Sequence, residues 1–220
     1  MTKSKAEITI SKPQIPENLE NLDLINSPIK DYDFISLGIV NECHIEEQRP
    51  YKVVFEKLVF ENVIFTDSAF ENIELTDVRF VNCDLSNIDF KGGIIHRVEF
   101  IDCKIIGASF IDGTFRNVLF SNCNLNYSNF RFSDLKQVEF YQCLLNSSDF
   151  QNSKFSKLIF KENNMKQIQL SGVKLNSVDF STCDIEGIGA RVEDLQGAII
   201  SNVQAIEFAG LLGLKIKLIK

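Results

Sequence analysis

The 220-residue chain contains no Trp and only two His, and its four Pro all lie within the first fifty residues. It has no run of eighteen apolar residues, and its start lacks the apolar stretch of a secretory signal. Lys and Arg number 23 against 30 Asp and Glu, so the formal net charge is −7. This deficit of positive charge disfavours contacts with nucleic-acid phosphates. We therefore expect a cytoplasmic protein that binds neither membranes nor nucleic acid directly.

What the sequence does contain is an apolar residue at every fifth position from Phe55 to Ile200. Of the 19 Phe, all but Phe34, Phe132 and Phe208 lie on this grid. Side chains two positions earlier are mostly small or medium-sized and apolar, and the other three positions are mostly polar. A helix repeats every 3.6 residues and a half-buried strand every two, so neither keeps this phase. The pattern predicts short extended segments joined by regularly spaced turns.

A second period, of twenty residues, predicts four sides in each coil of the chain. Four of the six Cys are spaced by twenty residues, and the Phe on one side repeat at the same interval. Residues twenty apart should therefore stack on one face, with aromatic rings and thiols inside. The predicted core ladders are Phe60, Phe80, Phe100, Phe120, Phe140, Phe160 and Phe180, and Cys83, Cys103, Cys123 and Cys143.

These residues resemble the pentapeptide-repeat proteins, whose consensus is close to A-(D/N)-L-x-x. Matching segments include Cys-Asp-Leu-Ser-Asn at residues 83–87 and Ser-Asp-Phe-Gln-Asn at residues 148–152. The resemblance covers residues 51 to 200 and implies an all-β solenoid, a right-handed quadrilateral β-helix. At twenty residues per coil, it would have about seven to eight coils of four pentapeptides. The direction of winding and the turn types come from the resemblance alone.

The grid divides the chain into three expected segments: an N-terminal appended segment over residues 1–34, the β-helix over 35–200, and a C-terminal helix and strand over 201–220. Residues 201–204 have the spacing of a capping box, and Gly213 is a natural helix stop. Two interpretations of this end stay open, a cap on a monomer and a dimer interface like that of several family members. The residues expected in such an interface are Phe208, Leu211, Leu212, Leu214 and Ile216.

One outward side of the predicted coil is unusually apolar. On the side centred on Phe60 to Phe180, a stripe of apolar residues points away from the interior, where solvent would be expected. We predict that the N-terminal segment or a partner covers part of it. The stripe consists of Val59, Val81, Ile101, Leu119, Tyr141 and Ile159.

The chain offers little for chemistry. The Cys could be metal ligands or form disulfides, but their spacing places them inside the coil as small apolar residues, and no C-x-x-C pair occurs. His96 should point outward, and Gly92-Gly93 lacks the Lys-Ser/Thr of a phosphate loop. No nucleophile, base and orienting group can be assembled from the spacing. We predict no catalytic residue, cofactor, metal site or small-molecule substrate, and therefore no enzyme.

Surface charge is the remaining functional signal. The Phe60-to-Phe180 side carries six acids against Arg79 and Lys161, a net charge of −4, whereas a neighbouring side carries seven bases and six acids. A rigid acidic rod can present a duplex-like field to a DNA-binding groove. The acids expected to face a partner are Glu61, Glu99, Asp102, Glu139, Glu162 and Asp179.

The family resemblance gives this charge a possible meaning. Qnr-type and mycobacterial fluoroquinolone-resistance members are dimeric DNA mimics that bind DNA gyrase, so the resemblance implies a homodimer that binds gyrase or topoisomerase IV, with possible quinolone protection. The grid here runs without the loop insertions that take part in protection in many Qnr-type proteins, so the resemblance implies binding more directly than protection. The alternative is a general interaction scaffold that binds another protein through its apolar and acidic face.

Overall fold

Within residues 8–215, seven eight-residue strands recur every twenty residues and form a parallel β-solenoid. The structure is a computed structural model and describes residues 8–215. A two-residue strand precedes the first long strand, and a three-residue strand follows each of the first two long strands. In chain order the strands are β1 Glu20–Asn21, β2 Phe34–Asn41, β3 His44–Glu46, β4 Val54–Glu61, β5 Ile64–Thr66, β6 Glu74–Val81, β7 Ile94–Ile101, β8 Thr114–Ser121, β9 Asp134–Tyr141 and β10 Lys154–Lys161.

All strand pairs are parallel and in register. The large sheet has the order β1-β2-β4-β6-β7-β8-β9-β10, and β3 pairs with β5 in a small second sheet. Each long strand aligns with the strand twenty residues later, so that Phe100 lies beside Phe120. Single-residue bridges such as Lys104 with Asn124 continue the remaining sides at the same interval. The predicted period of twenty is confirmed.

The corners of the coil are formed by left-handed residues. Each long strand bends at its fourth residue, for example Asp77 with φ 57° and Asn117 with φ 56°. The same conformation recurs five residues later along the chain, as at Asn122 with φ 54°. It costs most residues about 1–2 kcal/mol, and Asn and Asp tolerate it better than other residue types except Gly. Gly107, with φ 67°, occupies one of these corners and avoids the cost.

Stacked Phe rings fill the interior. Phe100 and Phe120 have ring centroids 4.7 Å apart and planes within 3°, and Phe120 stacks on Phe140 at 4.9 Å with the same angle. A second column on the opposite side includes Phe130 and Phe150, 4.5 Å apart. These five residues are wholly inaccessible to solvent. The predicted Phe ladder is confirmed, and it forms a core without a second layer of structure.

The Cys ladder also lies inside. Cys83, Cys103, Cys123 and Cys143 are buried and free, and their Sγ atoms lie 3.3–3.5 Å from backbone carbonyl oxygens to which they can donate. Burial raises the pKa of the Cys123 thiol, which keeps it protonated and able to donate. The thiols therefore act as small interior side chains with satisfied polar groups.

The N-terminal segment runs along the outside of the solenoid as an extended strap, defined here as residues 8–21. It passes the coils in reverse order: Thr9 O accepts from Gln137 Nε2, Ser11 N donates to Asn117 Oδ1, and Gln14 N donates to Asp77 Oδ1. These distances are 3.2, 3.2 and 2.8 Å. The strap ends in β1, which pairs with Gly38 and Ile39 of β2.

A leucine from the N-terminal segment closes the first coil. A Cβ added to Gly38 would overlap the Leu22 side chain, so Leu22 occupies the space where the aligned positions of later coils carry Leu58 and Val78. Leu24, two residues later, is also buried, only 7% exposed. The missing side chain of Gly38 therefore makes room for an apolar plug that shields the first coil from water.

At the other end, helix α1, Ala205–Leu211, caps the last coil. Ser201 and Gln204 form the predicted capping box: Ser201 N donates to Gln204 Oε1 at 2.8 Å and Gln204 N donates to Ser201 Oγ at 3.3 Å. Gly213, with φ 73°, follows the helix in the expected left-handed conformation. Most of the strand predicted after it lies outside the described residues. No helix within residues 8–215 has the length and apolar character to cross a bilayer.

Replacing a stacked interior ring should be far more costly than replacing an exposed one. We expect Phe120→Ala to lower the free energy of unfolding by about 3–5 kcal/mol, because a cavity replaces a ring that stacks on both neighbours. Phe34, also in a long strand but 61% exposed, provides the control, and Phe34→Ala should change stability by less than about 0.5 kcal/mol. Urea unfolding measures both, and equal effects would contradict the stacked core.

Asp77→Asn should loosen the strap and destabilise the fold. Asp77 accepts two hydrogen bonds from Arg97, at 2.6 Å each, and one from Gln14 N. Burial raises the pKa of Asp77, but the bonds from Arg97 and Gln14 outweigh it and hold the pKa below 3.8. Removing the charge should cost about 1.5–3 kcal/mol near neutral pH.

The loss of stability caused by Asp77→Asn should depend on pH. Because the folded pKa of Asp77 is lowered, its contribution is present above pH 3.8 and is lost as the pH falls further. The stability difference from Asp77→Asn should therefore shrink in acid. Asp112, an exposed left-handed corner residue, provides the control, and Asp112→Asn should be nearly neutral. A pH-independent difference for Asp77→Asn would show that charge is not the cause.

Candidate partner-binding face

The six acids predicted to face a partner are not equally available. We use the name acidic face for the outward side chains on the Phe60-to-Phe180 side. Asp102, Glu162 and Asp179 are exposed there, whereas Glu61 and Glu139 are half-buried. The strands position them: Glu139 belongs to β9, and Asp102 and Glu162 immediately follow β7 and β10 at left-handed corners.

Glu99 does not belong to the accessible set. It is only 5% exposed, and its Oε2 accepts from Arg79 Nε at 2.8 Å on the neighbouring strand. The pair joins residues twenty apart, directly beside each other in the sheet. The expectation that Glu99 presents charge to a partner is wrong, because Arg79 neutralises it and the sheet surface buries it. Glu99 instead links two coils.

The apolar stripe is partly covered, as the sequence predicted. Its six side chains are all half-buried rather than exposed. Ile8 and Ile10 of the strap are also half-buried, whereas Thr9 and Ser11 are exposed. This alternation is that of an extended segment with one face against the sheet. The strap therefore covers part of the stripe, with its apolar side chains toward the sheet.

A cleft of about 710 Å³ lies between the strap and the acidic face. The strap lines it with Ile8, Ile10 and Lys12 among others, and the sheet contributes apolar groups such as Leu119 and Ile159. Carboxylates share this lining with the apolar groups. The acids of the face that border the cleft are Glu99, Glu139 and Asp179.

The corner row beside the cleft holds a charged cluster. Arg97 pairs with Asp77, and Arg97 Nη1 lies 3.2 Å from His96 Nε2. Burial and the Arg97 charge lower the pKa of His96, which favours the neutral ring that can accept from Arg97. His96 is half-buried and adjoins this cluster rather than standing free in solvent. The cluster fixes Asp77 where it receives the strap.

The C-terminal end presents a second apolar area. Phe208 and Leu211 are partly buried against the core, whereas Leu212 and Leu214 are 56% and 61% exposed. Of the residues expected in a dimer interface, Ile216 lies outside the described residues. Gln204, which sequence reasoning placed only in the capping box, also donates from Nε2 to Phe180 O and Cys183 O at 2.7 Å each. It thus seals the end of the core.

Within residues 8–215, the other side-chain clusters show no arrangement for chemistry. A shallow cleft of about 380 Å³ is lined by Arg49 and by several carboxylates, including Asp67 and Glu71. Among the described residues, no group of three or more His, Cys, Asp or Glu is placed to hold a metal ion. Gly93 packs inward: an added Cβ would lie 2.9 Å from Phe90 O and 3.3 Å from the Ile73 side chain.

Sequence reasoning missed the anchors of the strap. Asp77, Asn117 and Gln137 are among the polar positions between grid residues, to which the pattern gives no individual role, yet each bonds to the strap backbone. A signal existed in their positions, since all three belong to one corner row at multiples of twenty. The partner residues Ser11 and Thr9 lie in a segment with no period, so nothing in the sequence indicated which corner the strap would follow.

Comparison with known proteins agrees with the repeat pattern. A family profile for the pentapeptide repeat region matches residues 53–130, 73–150 and 93–170. An uncharacterized protein YisX of Bacillus subtilis (strain 168) is 38% identical over 111 residues. That alignment covers 50% of this chain and 52% of the relative, so it spans about half of each.

Solved structures of similar fold include a trypsin-treated form of QnrB1, a plasmid-mediated fluoroquinolone resistance protein. It is 19% identical, covers 84% of this chain and 99% of its own, and gives a TM-score of 0.37. HetL, involved in heterocyst differentiation regulation in Nostoc sp. strain PCC 7120, is 12% identical over 78% of this chain and 91% of its own, with a TM-score of 0.39. The profile spans more than half of the sequence, and the chain belongs to the pentapeptide repeat family.

Proposed function

We propose that this protein is a non-catalytic rod that binds DNA gyrase or topoisomerase IV by imitating DNA. The observation that carries the proposal is the set of exposed carboxylates along one side of a rigid solenoid. Asp102 and Glu162 lie on one corner row three coils apart, and Asp179 lies on the same side. At about 4.8 Å per coil, Asp102 and Glu162 are about 14 Å apart along the axis.

The size of the rod suits a DNA-binding groove. Six steps of about 4.8 Å separate the seven long strands, giving about 29 Å of regular surface. DNA rises about 3.4 Å per base pair, so this length corresponds to about eight base pairs. Because stacked Phe rings occupy the interior, the outer surface is what remains to recognise a partner. Long-range attraction between an acidic rod and a basic groove would favour their association.

Charge reversal on the acidic face should weaken binding to gyrase. We expect the wild-type protein to inhibit DNA supercoiling by purified gyrase, with an effect that weakens as salt rises. The triple variant Asp102→Lys, Glu162→Lys, Asp179→Lys should require about tenfold more protein or worse for the same inhibition. Repeating the assay with a fluoroquinolone tests whether binding protects the enzyme from the drug.

A matched control separates local charge from total charge. Asp67, Glu71 and Asp112 are exposed acids on the other sides of the coil, and changing all three to Lys alters the net charge equally. This control should inhibit gyrase nearly as well as wild type. Equal loss in both variants would assign the effect to net charge, and no inhibition by the wild type at micromolar concentration would refute the gyrase proposal.

We also propose that two copies associate through their C-terminal ends, which would double the length of the acidic rod. The exposed Leu212 and Leu214 support this, because they form an apolar area next to the capping helix. Sedimentation should give twice the 25.0 kDa chain mass for the wild type. Leu212→Asp with Leu214→Asp should sediment as a monomer, whereas Leu144→Asp, at a 41% exposed leucine elsewhere, should leave the dimer intact. A wild-type monomer would refute it.

A general interaction scaffold is the second candidate, and a specific observation favours it. The apolar stripe and the cleft beside it lie on the same side as the proposed gyrase-binding acids, and neither is needed for imitating a phosphate backbone. A partner other than gyrase could use both. The absence of any effect on supercoiling would leave this candidate as the better account.

A further inference from the structure

The solenoid side chains that hold the strap bind its backbone rather than its side chains. Asp77 Oδ1 and Asn117 Oδ1 accept the N–H groups of Gln14 and Ser11, and Gln137 Nε2 donates to Thr9 O. None of these three contacts depends on which side chains the strap carries. An extended chain of another sequence could make the same hydrogen bonds, as in other modes of extended-peptide recognition.

Side-chain recognition comes from the cleft beside these anchors. Ile8 and Ile10 line it together with Leu119 and Ile159, at alternate positions of an extended segment. Glu139 and Asp179 border the same cleft against one base of the sheet, Lys161, and Lys12 of the strap also lines it. Because Glu99 is paired with Arg79, the unpaired charges that the sheet contributes are still net negative. The cleft therefore suits an extended segment with alternating apolar residues and positive charge.

The strap is held less firmly than the coils. Its residues 8–14 attach through three hydrogen bonds to side chains, two of them 3.2 Å long, whereas the coils bond backbone to backbone along whole strands. Ile8 and Ile10 remain half-buried, unlike the fully enclosed Phe ladder. Segments with few buried contacts open at much lower free energy than a core does.

We propose that the cleft, together with its anchors Asp77, Asn117 and Gln137, is a binding site for an extended basic peptide segment of a partner protein. The strap of the same chain occupies this site in the structure. The partner segment binds when residues 8–14 leave. Any affinity measured on the full chain is then reduced by the fraction of molecules in which the strap is seated. The site goes beyond gyrase binding, and its test contains no topoisomerase, so the two proposals can fail separately.

The test uses the full-length chain and a variant that unseats the strap. The probe is a fluorescein-labelled peptide of residues 6–18, whose binding is followed by anisotropy. Ile8→Asp with Ile10→Asp places carboxylates in the acidic cleft and should raise peptide affinity about tenfold or more over wild type. Ser11→Asp with Asn18→Asp adds the same charge at exposed strap residues that do not line the cleft, and it should bind the peptide as wild type does.

Two further measurements make every outcome decisive. Hydrogen exchange at the Ser11 and Gln14 amides should accelerate in the Ile8→Asp, Ile10→Asp variant and stay unchanged in the control. A second peptide in which Glu7 and Glu17 are replaced by Lys should bind the unseated variant about threefold more tightly, and a scrambled peptide should not bind. Unchanged exchange, equal peptide affinity in variant and wild type, or no preference for the basic peptide would each overturn the proposal.

Discussion

The alignment of residues twenty apart is the constraint on which the structure depends. Every coil bonds its backbone to the next in register, so a ring such as Phe120 must lie directly between Phe100 and Phe140. Register is maintained only if the chain turns through the same angle every five residues, which explains the repeated left-handed corners. Stacking of large apolar rings offsets the conformational cost of these corners. The interior is thus the same from coil to coil, and the features that distinguish this protein lie on its surface and at its two ends.

What the sequence could predict follows this division. The Phe and Cys columns were predictable because burial repeats with the coil, and the capping box of Ser201 and Gln204 because it is local. The path of the strap was not, since the contact of Ser11 with Asn117 joins residues 106 positions apart without any period. The pairing of Arg79 with Glu99 could have been found, because residues twenty apart are neighbours in this fold. A count of the charges on each side of the coil does not reveal this ion pair, because the count ignores which residues are neighbours.

The two kinds of acid on the surface serve different purposes. Glu99 and Asp77 are buried beside arginines one coil away and fasten neighbouring strands. Asp102 and Glu162 project at corners, where no arginine of the same row faces them. Total acidity therefore overstates the charge available to a partner. The strap also limits the apolar surface, because it covers positions that the sheet would otherwise expose. What the rod can bind therefore depends on whether the N-terminal segment is in place.

The square cross-section also limits how the chain can change in length during evolution. Adding or deleting twenty residues between the Leu22 plug and helix α1 alters the rod by one step and keeps every outward row aligned. An insertion of five residues between Asp77 and Asn117 would instead turn all later coils by one side. Asn117 and Gln137 would then leave the path of the strap, although the interior would still stack. Whole-coil duplication is thus the route by which such a protein can lengthen without losing its N-terminal contacts.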